Sequence, residues 1–302
     1  MDDVDLKTAY MLIVHKNPEQ VNMFIRQLLT DDQADIYIHI DKKSIGGMAE
    51  KIIADPRVIR TSENILVTWG DVSMVDAEIV LLREVMKSGK KYDFVCMRTG
   101  QDLMVKKGYK EYLSERKGKS FFSMRKITFK DEQAGLFKVK YPECTRRLYD
   151  SMHPFRILRT GLRKLYAKGI NLIPNNKEFD SRIKLYWGSD WFCVSYGMAG
   201  YMVDYLEKNQ WYRNAFKDSL APSTMFFSTL AMNSPFEEDV INEDQTFLRF
   251  GTTYKTNNHP VIFTMTEIGE IEKSERYFAR KFDADVNREV IEYFMKKIVS
   301  EK

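Results

Sequence analysis

Polar residues able to recognise and activate a ligand gather at the ends of apolar runs in the first third of the chain. The run from Thr8 ends at His15 and Lys16, and Ala34–Ile40 ends at Asp41, Lys42 and Lys43. Asn64 to Thr68 leads into Trp69-Gly70-Asp71, and Tyr92 to Met97 leads into Arg98-Thr99-Gly100-Gln101-Asp102. A surface loop carries any one such residue for solubility, but four runs ending this way describe a site. No G-x-G-x-x-G follows the first run, and Leu113 stands where a P-loop ending in Gly118-Lys119-Ser120 needs its first glycine. A nucleotide held without either loop points to a nucleotide-sugar enzyme, in which a carboxylate such as Asp41 reads the base or ribose.

These residues need a scaffold that brings strand ends together. Thr8 to His15 is a continuous apolar run of strand length, followed by Asn17-Pro18, an N-cap with proline at the first helical position. Val21, Phe24, Ile25, Leu28 and Leu29 then share one helical face. Ala34–Ile40 predicts a second strand, Asn64 to Thr68 a third, and Ser73 to Lys87 a helix with Val75, Ile79, Leu82 and Val85 inward, stopped at Gly89. Tyr92 to Met97 predicts a fourth strand. The βαβ series implies an α/β fold with a mostly parallel, Rossmann-type sheet flanked by helices, whose ligands sit beyond the carboxyl ends of the strands.

The chain has 302 residues, 44% apolar and 13% aromatic, enough to bury a substantial core, which excludes disordered, collagen-like and coiled-coil classes. No stretch reaches the roughly 18 to 20 apolar residues of a spanning helix, and the start, Met1-Asp2-Asp3-Val4-Asp5, is acidic where a signal peptide is basic. Cys96, Cys144 and Cys193 are too few and too widely spaced for a disulfide framework or zinc site. The expectation is a cytoplasmic protein with reduced thiols. A net charge of +4 is too small to argue for nucleic acid, and no nucleic-acid-binding module is recognisable.

Seven segments in order carry a resemblance. They are Ala9 to His15, Ile38 to Lys43, Trp69-Gly70-Asp71, Thr99 to Asp102, Gly188-Ser189-Asp190-Trp191-Phe192, Pro222 to Thr229, and Phe278 to Asp283. The series resembles the core-2/I-branching β-1,6-N-acetylglucosaminyltransferase family, which includes the peptide O-xylosyltransferases, and suggests a bacterial member without the membrane anchor of the Golgi enzymes. The resemblance implies a single GT-A-like domain over residues 1–302. Within it lie a nucleotide-binding half (1–104), a variable basic insertion (105–180) and an acceptor and diphosphate-binding half (181–302). It also implies an inverting glycosyltransferase moving a sugar, N-acetylglucosamine first and xylose second, from a UDP-sugar to a glycan acceptor in surface or capsular polysaccharide synthesis. No cofactor and no metal are expected.

The donor side is expected to comprise His15, Asp41 reading the uridine, Trp69 and Asp71, with Asp102 positioning the sugar. The family uses basic side chains rather than a metal to receive the leaving diphosphate, and Lys281, then Arg280 or Arg249, match. Asp283-Ala284-Asp285 fits a metal motif as letters, but it precedes the helical run Val290, Ile291, Phe294, and an N-cap carboxylate explains it better.

The catalytic base is where this sequence departs from its relatives. The family's Glu after Pro222 is replaced by Thr224, whose hydroxyl cannot serve as a general base at neutral pH. Asp190, which resembles the aspartate of the xylosyltransferase branch, takes that role, its basicity raised by Trp187, Trp191 and Phe192; capping, or pairing with Arg182 or Lys184, is the structural alternative. A second class of function, a sugar- or nucleotide-binding protein that lost transfer, follows from Thr224. Trp191 is the candidate acceptor platform. Glu237, Glu238, Asp239, Glu243 and Asp244 read as solvated acidic loops, His15 and His39 as packed or hydrogen-bonded at the strand ends rather than proton shuttles, and His153 and His259 precede prolines.

Between Lys138 and Lys168 nine basic residues face two acidic ones, a local charge of +7 that exceeds that of the whole chain. Phe155, Leu158, Leu162 and Leu165 recur at helical spacing beside Arg156, Arg159 and Arg163. Such a helix either packs its apolar stripe on the core, arginines in water, or lies on an anionic membrane, which suits an acceptor carried on a lipid. Peripheral membrane contact through 155–168 is therefore an expectation to test.

Overall fold

A computed structural model describes residues 5–128, 130–175, 183–253 and 260–299. Its main sheet has seven strands in the order β3-β2-β1-β4-β7-β6-β8. These are β1 (Thr8–Val14), β2 (Ala34–Ile40), β3 (Val58–Arg60), β4 (Phe94–Thr99), β6 (Ser120–Ile127), β7 (Leu185–Ser195) and β8 (Val240–Asn242). Only β7 runs against the others. A smaller sheet joins β5 (Asp102–Met104), β10 (Phe278–Arg280) and β9 (Thr246–Leu248) in the order β5-β10-β9. The chain is thus α/β with a mostly parallel sheet flanked by helices, as the sequence predicts.

The first strand shows why. Ala9, Met11 and Ile13 enter one core with the helices Ser73–Lys87, Tyr196–Lys208 and Ser223–Ala231, while Tyr10, Leu12 and Val14 enter a second core with Pro18–Leu28 and Arg288–Ile298. A strand covered on both faces has no polar side, hence the unbroken apolar run. Its register with β2 pairs Val14 with Ile40, so His15 and Asp41 emerge at the same level, the Asp41 amide donating to the Val14 carbonyl at 2.9 Å.

Three local expectations are corrected. The third parallel strand is Val58–Arg60, not Asn64 to Thr68. Ile65 and Val67 are apolar because they pack on the core, and their segment crosses the end of β2, where the Ile65 amide donates to His39 Nε2 at 2.7 Å. Asn17 does not cap its helix through its side chain: it adopts a left-handed conformation (φ 49°) and donates Nδ2 to Asp283 at 3.0 Å. The last helix is capped by Asn287, whose side chain accepts from the Val290 amide, and not by the Asp283 or Asp285 carboxylate.

Segment 105–180 is not set apart from the sheet, because β6 is one of its strands; its boundary near 181, with Arg182, lies outside the described residues. The basic stretch folds outside the sheet and docks on the chain near 217–221, the Leu220 amide donating to Leu136 and Arg146 to Lys217. Cys96 and Cys193 are buried free thiols facing each other across β4 and β7, with Sγ atoms 2.8 Å apart, and Cys144 is exposed.

Candidate active site

Strand β7 delivers the first group of site residues. It pairs antiparallel with β4 through Phe94–Ser195 and Cys96–Cys193, so its earlier residues continue past the carboxyl end of β4. Gly188 permits this path: a Cβ there would lie 2.0 Å from the Ser123 carbonyl oxygen, where β6 and β7 slip register between Phe122 and Met124. Glycine's place in the Gly188-Ser189-Asp190-Trp191 motif is therefore steric. Trp191 Nε1 donates to Asp102 Oδ2 at 2.8 Å.

Asp102 is the hub of this group. Fully buried, it also accepts from the Thr99 amide and hydroxyl, each at 2.9 Å, and from Arg280 Nη1 at 2.9 Å. Direct pairing of Arg280 with Asp102 across β10 and β5 fixes that ion pair, and Arg280 also donates to Thr99 Oγ1. The guanidinium carbon stands 4.5 Å from the Trp191 ring centre, a cation–π contact covering one indole face. Asp102 thus orients the groups around it.

Asp190 is the second element. One of its oxygens, Oδ1, is buried without a hydrogen-bond partner, and the Ser223 hydroxyl donates to the carboxylate. Burial raises its pKa above the usual carboxylate value, opposed by Ser223 and by the charge of Arg280. Thr224 is no substitute: its hydroxyl donates to the Ala221 carbonyl at 2.9 Å within its own turn.

The sequence reading missed two partners here. Ser223 is one. The other is Glu78, buried on the helix Ser73–Lys87 with Oε2 unpartnered; burial and then the charge of Asp190 hold its pKa well above the ordinary value. Its position was a signal, because Glu78 falls three residues after Val75 and four before Leu82, an acid within the apolar stripe.

The third element is a cluster of cations. His15 lies beside Lys43, Lys16, Lys281 and Asp41; partial burial, then the three lysines, lower its pKa. Lys281 is lowered as well, first by burial, then by Arg280 and Lys16, with Asp283 opposing. Asp283 answers Lys16 at 2.5 Å; desolvation raises its pKa, but the Lys16 bond and charge, the Asp285 amide and Lys281 together hold it below the usual carboxylate value. Asp41 is buried, caps the turn after β2 by accepting from the Lys43 amide at 3.2 Å, and pairs with Lys43 Nζ at 3.0 Å. Positive groups that depress one another's pKa are relieved by an anion. Among the described residues no three His, Cys, Asp or Glu side chains group to hold a metal ion.

Trp69 and Asp71 lie against the basic segment. Asp71 accepts from the Ser73 amide at 3.0 Å and pairs with Arg146 at 2.9 Å, while Arg159 stands 5.1 Å from the Trp69 ring centre. They join the Asp190 group through the Gly70 carbonyl, which accepts from the Ala221 amide at 2.9 Å, immediately before Pro222 and Ser223. Gly70 has φ 75°, and a Cβ would lie 2.7 Å from the Arg146 carbonyl oxygen.

Other candidates stand apart. Arg249 is paired with Glu267 at 3.0 Å and Glu270 at 2.6 Å. Arg98 turns inward over the Phe278 ring. Glu237 pairs with Lys184, Asp239 with Lys119, and Glu243 accepts from Tyr112, as acidic loop residues do. His153 caps the helix Pro154–Ala167, and His259 lies outside the described residues.

Residues 8–275 match the family model of the Core-2/I-branching enzyme. Similar curated proteins include "Xylosyltransferase sqv-6" of Caenorhabditis briggsae, 25% identical over 319 residues, and of Caenorhabditis elegans, 24% identical over 317; each alignment covers 95% of this chain and 36% of the relative. "Xylosyltransferase 2" of Homo sapiens is 23% identical over 326 residues, covering 97% of this chain and 34% of the relative. The chain thus spans about a third of the length of these relatives. Among solved structures, the inositol-1-phosphate CTP transferase from T. maritima overlaps with a TM-score of 0.40 at 11% identity, covering 98% of this chain and 97% of that one. Mouse xyloside xylosyltransferase 1 in its apo form overlaps with a TM-score of 0.35 at 11% identity, covering 80% and 86%.

Proposed function

The chain belongs to the Core-2/I-branching enzyme family, and from that premise we propose that it is an inverting glycosyltransferase moving a sugar from UDP to a glycan hydroxyl. The observation that carries this reading is the Asp190 carboxylate, enclosed, raised in pKa and flanked by Ser223 and the Arg280 charge. Asp190 takes the acceptor hydroxyl proton as that oxygen bonds to the anomeric carbon and the bond to UDP breaks. The departing diphosphate carries away the electron pair, and its charge falls to Lys281, with Lys16 and Arg280 adding positive potential. Asp41 reads the uridine, His15 and the Trp69–Asp71 turn border the donor, and Trp191 offers its uncovered face to the acceptor ring.

UDP-xylose is the donor we place first, because an aspartate serves at 190 where Thr224 replaces the glutamate, and because the similar curated proteins are named xylosyltransferases. UDP-N-acetylglucosamine is the second reading, from the wider family. Transfer and donor hydrolysis measured over a panel of UDP-sugars, with chelator and with added manganese, test both. Asp190→Asn is expected to lower kcat by about 10²-fold or more, while Thr224→Ala retains activity. The acid limb of kcat/KM is expected above the ordinary carboxylate range, as the direction of the Asp190 shift requires. UDP binding without turnover on any acceptor replaces this proposal with the binding-protein reading.

A further inference from the structure

The helix Pro154–Ala167 is built inside out. Arg156 and Arg159, 3% and 5% exposed, point into the protein, whereas Ile157 and Leu158 are 49% and 48% exposed. Arg159 Nη1 donates to the carbonyls of Thr145 at 2.9 Å and Arg147 at 3.0 Å; Arg156 Nη1 donates to the Tyr149 carbonyl, and Arg163 pairs with Glu132. Inward arginines thus satisfy backbone oxygens and stack on Trp69, and the apolar face is left outside.

That face carries Phe155, Ile157 and Leu158 exposed and Leu162 and Leu165 half-buried, with cations beside them. At 100° per residue Leu158 and Leu165 share its centre, Phe155 and Leu162 flank one side, and Ile157, Lys164 and Lys168 the other. Leu148 and Met152 precede the helix and Ile170 and Leu172 follow it, all exposed. Of the thirteen large apolar side chains left exposed among the described residues, seven lie between 148 and 172. Lys164 and Lys168 are exposed, and the ion pairs recorded among the described residues do not include them. A patch of this kind marks an interaction surface. Its positive border selects the partner, since an apolar face edged by lysines complements acyl chains beneath anionic headgroups.

We propose that the outward face of Pro154–Ala167, with Leu148, Met152, Ile170 and Leu172, docks the protein on an anionic phospholipid bilayer. Bound this way, the helix lies along the membrane plane, its arginines directed toward Trp69 and the donor side of the cleft. Docking is independent of the transfer reaction and is read without substrate.

The test is flotation of the full chain with vesicles of phosphatidylcholine, with and without phosphatidylglycerol. The wild type is expected to float with the anionic vesicles and to be released by salt. Ile157→Glu with Leu158→Glu is expected to weaken flotation roughly tenfold or more, and Lys164→Gln with Lys168→Gln also roughly tenfold or more, on anionic vesicles alone. Val286→Glu, an exposed apolar site elsewhere, is the control that leaves flotation unchanged. The substituted side chains all stand outside the core, so an unchanged circular dichroism spectrum and melting temperature verify the fold. Absence of wild-type flotation, or flotation that survives Ile157→Glu with Leu158→Glu, overturns the proposal. A concentration-dependent dimer abolished by the same pair, without lipid binding, assigns the face to a second copy and overturns it too. None of these outcomes bears on Asp190, whose test is transfer to a soluble acceptor.

Discussion

Glu78 and Asp190 are two enclosed carboxyls within electrostatic reach of each other, each with one buried oxygen that has no partner. Burial raises both, and the charge of Asp190 raises Glu78 further.

A stability effect follows from the sign of that displacement. A carboxyl whose folded pKa exceeds its unfolded value binds its proton more tightly in the folded state; folding loses stability as pH rises from the unfolded value through the folded one. Glu78→Gln removes the titration. Thermal melts are expected to show the variant gaining on wild type at about pH 8 relative to about pH 5, by about 1.4 kcal/mol for each tenfold gain in proton affinity on folding. Equal differences at both pH values contradict a raised Glu78.

Lys281→Ala should weaken UDP binding by roughly ten- to a hundredfold, the scale of a charge-assisted hydrogen bond of about 1.5 to 3 kcal/mol. Calorimetric titration with UDP at two ionic strengths checks it. Arg249→Ala, whose guanidinium is held by Glu267 and Glu270, is expected to change UDP affinity by less than about threefold. The reverse order would move the diphosphate away from Lys281.

Trp191→Phe keeps an aromatic face for Arg280 and removes one donor from the buried Asp102. The expected cost is about 1 to 3 kcal/mol in denaturant unfolding, with kcat lowered and KM for the donor sugar unchanged. A rise in donor KM alone would place Trp191 on the nucleotide side instead.

Gly188→Ala forces a methyl carbon to 2.0 Å from the Ser123 carbonyl oxygen, a contact backbone must move to relieve. A loss of roughly 3 kcal/mol in stability is expected from urea unfolding. An unchanged midpoint would mean the slip between β6 and β7 is plastic.

The parallel half of the fold was legible because physics writes it plainly. A strand buried on both faces has no polar side, as Thr8–Val14 and Ala34–Ile40 show, and the strand ends then carry whatever polarity the site needs. Val58–Arg60 escaped notice because three residues, one an arginine, carry no period, while Ile65 and Val67 looked like a strand and serve only as core. The helix Pro154–Ala167 announced itself by its proline and spacing, but its orientation did not. Which face turns inward depends on carbonyls at Thr145, Arg147 and Tyr149 and on the Trp69 ring, none of which local periodicity encodes. In the site, Asp102, Trp191 and Arg280 come from separate motifs whose mutual contacts the sequence did not reveal, and the acidic neighbour Glu78 lies on a different element again and needed three dimensions to be recognised.

Arg280 and Asp102 are separated by 178 positions, yet one short antiparallel ladder presses them together. Every residue from Asp102 to Arg280 must emerge before that ladder closes, so this pairing forms later than the local contacts of the parallel strands β1, β2 and β4. A chain interrupted upstream of β10 leaves the buried Asp102 carboxylate without its Arg280 partner.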